Sequence, residues 1–205
     1  MIYLDNAATT KVSDAVYEAM KPYFCEQYAN PSAIYSFAFE TMKAVDEARE
    51  NIADLIGAQS NEIYFTAGGS ESDNWAIKAA AEAYKSKGKH IITSTIEHHA
   101  VLHTCQYLEK QGYEVTYVNV NEYGVIKLDE LEAAIRPDTI LITMMAANNE
   151  IGTIQPLKEI GALAKKNGIL FHTDAVQAYL HIPLNVDALN IDMLSASGHK
   201  FHGPK

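Results

Sequence analysis

Cysteine is nearly missing from this chain. Two residues, Cys25 and Cys105, occur in a sequence of 205, too few for a disulfide framework. Metal-ligand spacing is missing as well. His99 and His103 stand four apart, but there is no H-E-x-x-H and no third ligand at a standard interval, so no metal site is expected. Basic residues are scarce: 16 Lys and Arg stand against 26 Asp and Glu, for a formal net charge of −10. No basic run exceeds the pair Lys165-Lys166. Duplex nucleic acid is held largely by cations placed on its phosphates, so a nucleic-acid partner is disfavoured. No apolar stretch approaches the roughly 20 residues of a membrane helix. The longest, Ile140 to Ala147, is strand-sized and contains Thr143. The first residues, Met1 to Asp5, have neither the basic start nor the apolar run of a secretory signal. These absences together lead to the expectation of a cytoplasmic protein with no membrane partner.

What is present reads as an ordinary globular composition, 48% hydrophobic and 20% charged. Short β-branched runs suited to strands occur at Glu62–Thr66, His90–Ser94, Val115–Val120, Thr139–Met145, Ile169–Thr173 and Met193–Ser195. Between them lie amphipathic stretches at Phe37–Ile56, Glu71–Lys87, His99–Gln111, Leu128–Ile135 and Pro156–Asn167. Gly57, Gly112 and Gly168 stand at helix ends, where glycine is favoured. Strands alternating with helices of this length predict an α/β chain, with a mostly parallel central sheet and helices on both faces. The first forty residues differ. Tyr23, Phe24, Tyr28, Tyr35, Phe37 and Phe39 crowd a stretch that reads as loop, of the kind that covers a site or a subunit interface.

In a parallel sheet, ligands bind outside the carboxyl ends of the strands. Thr66 to Ser72 holds Gly68, Gly69 and Ser70 and runs into a helix, an arrangement that offers backbone N–H groups to a phosphate. The same residues fit a plain strand-to-helix turn with Ser as its cap. No G-x-G-x-x-G is present, and the segment Gly198 to Lys205 lacks the Gly-Lys-Ser/Thr ending of a P-loop. Further on come His98 and His99, the amide pair Asn148-Asn149, and Asp174. A carboxylate at the end of a buried strand is costly unless it is paired with a cation or a strong donor, or caps the next helix. Lys200 follows the last strand; desolvated there, its amine becomes a nucleophile able to form a Schiff base, although most lysines simply lie on the surface. A phosphate cup, a flat histidine, an amide, an acid and a lysine at successive strand ends form the set that pyridoxal phosphate requires.

With these residues in view, the chain resembles the class V aminotransferase-like, fold-type I pyridoxal-phosphate enzymes, and more narrowly the cysteine desulfurases of the NifS/IscS kind. The likeness is carried by Tyr3 to Thr10, Asn30-Pro31-Ser32, Phe65 to Asn74, Glu97 to Val101, Asn148 to Gly152, His172 to Gln177 and Ser197 to Lys200. It implies that Lys200 holds the cofactor and shuttles the substrate's α-proton. It also implies that Asp174 pairs with the pyridinium nitrogen and that His98 stacks on the ring and acts in acid–base steps. Gln177 and Asn149 would bond the ring hydroxyl, Asn149 also lying near the substrate carboxylate. Gly69, Ser70, Ser197 and His199 would hold the phosphate, and Asn6 to Thr9 would line the substrate entrance.

The reaction implied takes L-cysteine to L-alanine, with sulfur passing through a persulfide to iron–sulfur or thio-cofactor assembly. A homodimer and a sulfur-accepting scaffold protein are the implied partners. Sister activities of the same family, selenocysteine lyase or an aminotransferase, and a non-catalytic fragment or dimerisation module are the alternatives. Several positions depart from the family pattern: Ser70 stands where Thr is usual, Gly69 where Ala is common, Val176 where Thr is frequent, and Tyr35 and Ala38 where His and Gly often occur. Family members continue beyond Lys205 for about as long again, the scale of a further domain. Residues 1–205 would then comprise the N-terminal segment and an incomplete cofactor-binding large domain, without the small C-terminal domain. The carboxylate-binding arginine and the sulfur-accepting cysteine would belong to that missing part.

Overall fold

The computed structural model describes residues 2–205. The chain divides into two compact units, one made of residues through Phe65 with Gly198–Lys205, the other of Thr66–Ser197.

The first unit is helical. Helix α1 (Asp14–Met20) starts at Ser13, whose Oγ accepts the Val16 N–H at 3.2 Å, satisfying one of the unpaired donors of the first turn. Helix α2 (Pro22–Cys25) carries proline at its first position, where the missing N–H is no loss. Both fall in the stretch the sequence read as loop. At seven and four residues they are too short for an apolar period to register. Helix α3 (Ser36–Ile56) buries Ala38, Thr41, Ala53 and Ile56 on one side and stops at Gly57, which adopts φ +73°.

The expected strand at Glu62–Thr66 does not form. Ser60–Glu62 is a 3-10 turn closed by reciprocal side-chain bonds of Gln59 and Glu62, and no strand pairs with the residues that follow among those described. Tyr64 and Phe65 are mostly exposed. Arg49 donates to the Ile63 carbonyl and lies 4.9 Å from the Phe65 ring. The β-branched and aromatic composition was right for a strand, but a strand exists only where a ladder partner does.

The second unit is an α/β sandwich. Its sheet contains β1 (His90–Ser94), β2 (Glu114–Val118), β3 (Thr139–Met145), β4 (Leu170–Asp174) and β5 (Met193–Ser195) in the order β2-β1-β3-β4-β5, every pair parallel. Every residue of β1 and β3 is buried, which is why those runs read as continuously apolar rather than alternating. Helices α4 (Gly69–Tyr84) and α5 (His99–Glu109) supply Ile77, Ala80, Ala81, Val101, Cys105 and Leu108 to a core shared with Ile91 and Leu141. Helices α6 (Leu128–Ala134) and α7 (Leu157–Asn167) supply Leu131, Leu157, Ile160 and Ala164 to a second core with Ile92, Ile142 and Phe171. Ile91 and Ile92 thus point to opposite faces, as successive strand residues must. A short helix, α8 (Val186–Leu189), precedes β5. The chain order turns back between β1 and β3, and such a reversal opens a crevice at the strands' carboxyl ends.

Candidate active site

In the second unit the strand ends present most of the residues singled out from the sequence. Helix α4 begins at Gly69 after Gly68, and no side chain caps it, so its first N–H groups keep the positive end of the helix dipole available to an anion. A Cβ on Gly69 would lie 2.7 Å from Val176 Cγ2 and 3.5 Å from Ser197 Cβ. The structure therefore brings Gly69 beside Ser197, and Val176 leaves no space for a side chain on Gly69. Ser70 is exposed beside them in the first turn. No strand leads into this turn, so the cup rests on a helix start and on Ser197, not on a strand-to-helix elbow.

His98 is the N-cap of α5, and its Nδ1 accepts the Ala100 N–H at 3.1 Å. That bond requires an unprotonated Nδ1, so a neutral ring carries its proton on Nε2. His99 and His103 stack at 5.2 Å on the exposed face of α5, and no group of three metal-ligating side chains occurs among the described residues. Of the two neighbouring amides, Asn148 is committed to structure: Nδ2 donates to the Ile96 carbonyl at 3.1 Å, and Oδ1 accepts from the N–H groups of Glu150 and Ile151. This fixes the turn in which Asn149 sits. Asp174 ends β4 almost fully buried, its Oδ1 accepting the Val176 N–H at 2.9 Å. Gln177 is half-buried in the turn after it.

Behind Asp174 lies a polar network that sequence reasoning missed. His172 shares a face of β4 with Asp174, two residues away. Its Nδ1 is 2.8 Å from Thr143 Oγ1 and its Nε2 is 3.1 Å from Ser195 Oγ. Ser72 donates to the same Ser195 oxygen at 2.9 Å. Asp73 Oδ1 is 3.7 Å from His172 Nε2. Burial, then the Asp174 charge, pushes the Asp73 carboxyl up to about 8 against a lowering bond from Ser195. Burial drives His172 down to about 3. Burial thus favours an uncharged acid beside an uncharged imidazole over an ion pair here. Glu97 is also raised to about 8 by burial, although Ser94 and the Met145 N–H both donate to its Oε1. The signal for Asp73 was present in the sequence, since it occupies the apolar stripe of α4 with Ile77, Ala80 and Ala81.

The first unit holds the remaining two predicted residues. Lys200 Nζ donates to the Ala7 carbonyl and, at 3.1 Å, to that of Ala8. His199 Nδ1 is 3.0 Å from Thr9 Oγ1, and the His199 carbonyl accepts both the N–H and the hydroxyl of Thr10 at 2.8 Å. His202 N–H donates to Thr10 Oγ1 at 2.7 Å, and Ser13 N–H to the His202 carbonyl at 3.0 Å. Segments some 190 residues apart are thereby bonded together around the lysine. Burial, followed by the charges of Lys200 and Lys205, lowers the His199 pKa.

Comparison with known proteins places the chain in a family. Residues 2–205 match the family described as Aminotransferase class-V. The chain is 62% identical over 204 residues to the cysteine desulfurase IscS of Methanosarcina thermophila and covers 50% of that protein. It is 58% identical to the cysteine desulfurase IscS of Dictyoglomus turgidum, covering 52% of it. Among solved structures, it superposes on SspA in complex with cysteine with a TM-score of 0.97 at 48% identity, and on a NifS-like protein with 0.96 at 44%, covering 59% and 56% of those chains. It spans about half the length of the relatives it matches, and all of this chain is included in each match. The chain therefore belongs to the class-V aminotransferase family and stands within it among relatives named cysteine desulfurases.

Proposed function

We propose that this chain is the pyridoxal-phosphate-binding part of a cysteine desulfurase. The observation that carries the reading is the occurrence in one unit of a buried acid at the end of β4, Asp174, and a cup at the uncapped start of α4, where Gly69 lies against Ser197 and Val176. A carboxylate at the end of a buried strand suits the cationic atom of a ligand. The cup suits a phosphate, and the two together suit a phosphorylated cationic ring. When bound, pyridoxal phosphate supplies an electron sink for charge developing on the substrate's α-carbon.

The chain's residues then take separate tasks. Gly69, Ser70, Ser197 and His199 hold the phosphate, with the α4 dipole favouring its negative charge. Asp174 holds the proton of the ring nitrogen. Asn149 and Gln177 bond the ring hydroxyl, while Nζ of Lys200 carries the cofactor and moves the α-proton. His98, its Nδ1 occupied, has Nε2 for stacking contact and proton transfer. The carbonyls of Ala7 and Ala8 orient the Lys200 amine from the N-terminal segment.

L-Cysteine as substrate follows the relatives named as desulfurases and the solved relative in complex with cysteine. The products are L-alanine and a persulfide on an acceptor thiol. A homodimer, a sulfur-accepting scaffold, iron–sulfur assembly and a cytoplasmic location belong to the same reading, and no helix among the described residues is long and apolar enough to cross a membrane. The test is to load the chain with pyridoxal phosphate and add L-cysteine, L-selenocysteine or L-alanine in turn. A change in cofactor absorbance with cysteine, and alanine formation in the presence of a thiol, supports the desulfurase reading. A response to selenocysteine alone, or amino transfer without sulfur release, moves the assignment to a sister activity. Cofactor binding with no response to any of them leaves a binding module.

A further inference from the structure

One loop leaves the carboxyl end of β1 and carries His98; another leaves the end of β3 and carries Asn149. The residue just before each of these, Glu97 and Asn148, is buried, and neither has a part in the chemistry assigned above. The last paired residues of β1 and β3 are Ile92 and Ile142, so the Met145 N–H lies beyond the ladder and needs another acceptor. Glu97 supplies it: Oε1 takes that N–H at 3.0 Å and also the hydroxyl of Ser94, the last residue of β1. In return, Asn148 Nδ2 donates to the Ile96 carbonyl at 3.1 Å, while its Oδ1 holds its own turn through Glu150 and Ile151. Each loop thus gives a side chain to the backbone at the other strand's end.

We propose that Glu97 is a positioning residue for His98 and forms, with Asn148, a strap that fixes His98 and Asn149 in one arrangement before a ligand binds. The inference rests on the cofactor reading above and deepens it, because the ring-stacking and hydroxyl-bonding groups then have a spacing set by the protein. His98 caps α5 through Nδ1, and its carbonyl accepts the N–H groups of Val101 and Leu102 at 2.9 and 3.1 Å. Its backbone adjoins that of Glu97, so releasing Glu97 turns the ring away from the Ala100 N–H. The strap needs an acceptor at Oε1, not a charge. Glutamine therefore serves in its place, and leucine, of similar bulk, does not. Such preorganisation matters because a reacting group misplaced by about 1 Å can lose about a hundredfold in rate.

The experiment compares wild type with Glu97→Gln and Glu97→Leu by two readouts. In cofactor-free protein labelled with 15N at histidine, and above the ordinary histidine titration range, the ring nitrogens report the tautomer of His98, assigned by loss of its signals in His98→Gln. Pyridoxal phosphate is then titrated in by absorbance. Wild type and Glu97→Gln should both show His98 with its proton on Nε2 and should bind the cofactor equally within about twofold, although the glutamine variant is the less stable protein. Glu97→Leu should show mixed tautomers and bind about tenfold more weakly. Wild-type behaviour of Glu97→Leu in both readouts overturns the proposal. Equal losses in the glutamine and leucine variants overturn it too, because the carboxyl would then act through stability alone. If Glu97→Leu does not fold, Asn148→Asp decides: it removes the donor to Ile96 and keeps Oδ1, and an unchanged His98 ring signal overturns the strap. Failure of wild type to bind pyridoxal phosphate, with the ring signals changing as expected, supports the strap and overturns the cofactor reading alone.

Discussion

Replacing Glu97 by glutamine takes one proton out of the folding equilibrium, and its effect on stability can be worked through. Glu97 is buried, its Oε1 accepts from the Ser94 hydroxyl and, at 3.0 Å, the Met145 N–H, and its Oε2 has no partner. Its pKa is raised from 4.5 to about 8, chiefly by burial. Between these values the folded chain holds a proton that the unfolded chain has lost. Stability supplied by this group is therefore complete below about pH 4.5 and declines as pH rises to about 8. The slope is at most about 1.4 kcal/mol per pH unit for a single group, so about 3 kcal/mol separates pH 4.5 from pH 7. Glutamine cannot ionise and has no such slope. Its amide donors, placed where Oε2 now lacks a partner, cost about 1–3 kcal/mol at every pH. Urea unfolding of wild type and Glu97→Gln at half-unit steps from pH 5 to 8 separates the two effects. The variant should be the less stable at pH 5 and gain on wild type by about 1 kcal/mol for each unit of pH. A difference independent of pH would refute the reasoning, because it would mean that Glu97 is ionised in the folded chain.

Three further outcomes follow from local geometry. Leu180 has φ +63° and is exposed, a left-handed conformation costing a non-glycine residue about 1–2 kcal/mol; Leu180→Gly should raise stability by about 0.5–1 kcal/mol after glycine's own entropy cost, measured by thermal melting. Gly69→Ala presses on Val176, so it should weaken pyridoxal-phosphate binding several-fold, and Val176→Ala should restore most of the loss in the double variant; no loss in the single variant would show that the two side chains separate freely. Cys25 is exposed, whereas Cys105 is buried and its thiol is pushed up to about 12 by burial. A thiol reagent should therefore label one cysteine rapidly in native protein and the second only after unfolding.

The sheet was legible because periodicity carries it. β1, β3 and β5 have the bounds expected from their apolar runs, and β2 and β4 begin or end within one or two residues of theirs. Helix α7 starts at Leu157 with Pro156 just before it, a shift of one position at a boundary where the proline still marks the start. The short helices α1, α2 and α8 left no periodic trace, and Glu62–Thr66 had strand composition without a strand partner. The predicted residues at strand ends were legible for the same reason as the strands. His98, Asn149 and Asp174 follow apolar runs, and parallel sheets collect ligands there. Glu97 and His172 were not, because a buried polar residue looks like a surface one until the elements packed around it are known, and Asp73 had only its place in the apolar stripe of α4 to mark it. The division of labour between Asn148 and Asn149 was equally hidden, since both are ordinary turn formers and only the bonds to Ile96, Glu150 and Ile151 tell them apart.

The most direct test of the account is the position of the covalent bond. Purified chain is incubated with pyridoxal phosphate, reduced with borohydride, digested and examined by mass spectrometry. The account predicts one reduced cofactor adduct, on the peptide containing Lys200, lost in Lys200→Ala and weakened in Asp174→Ala. Adducts scattered over surface lysines such as Lys78 or Lys110, or an adduct level unchanged in Lys200→Ala, would contradict it.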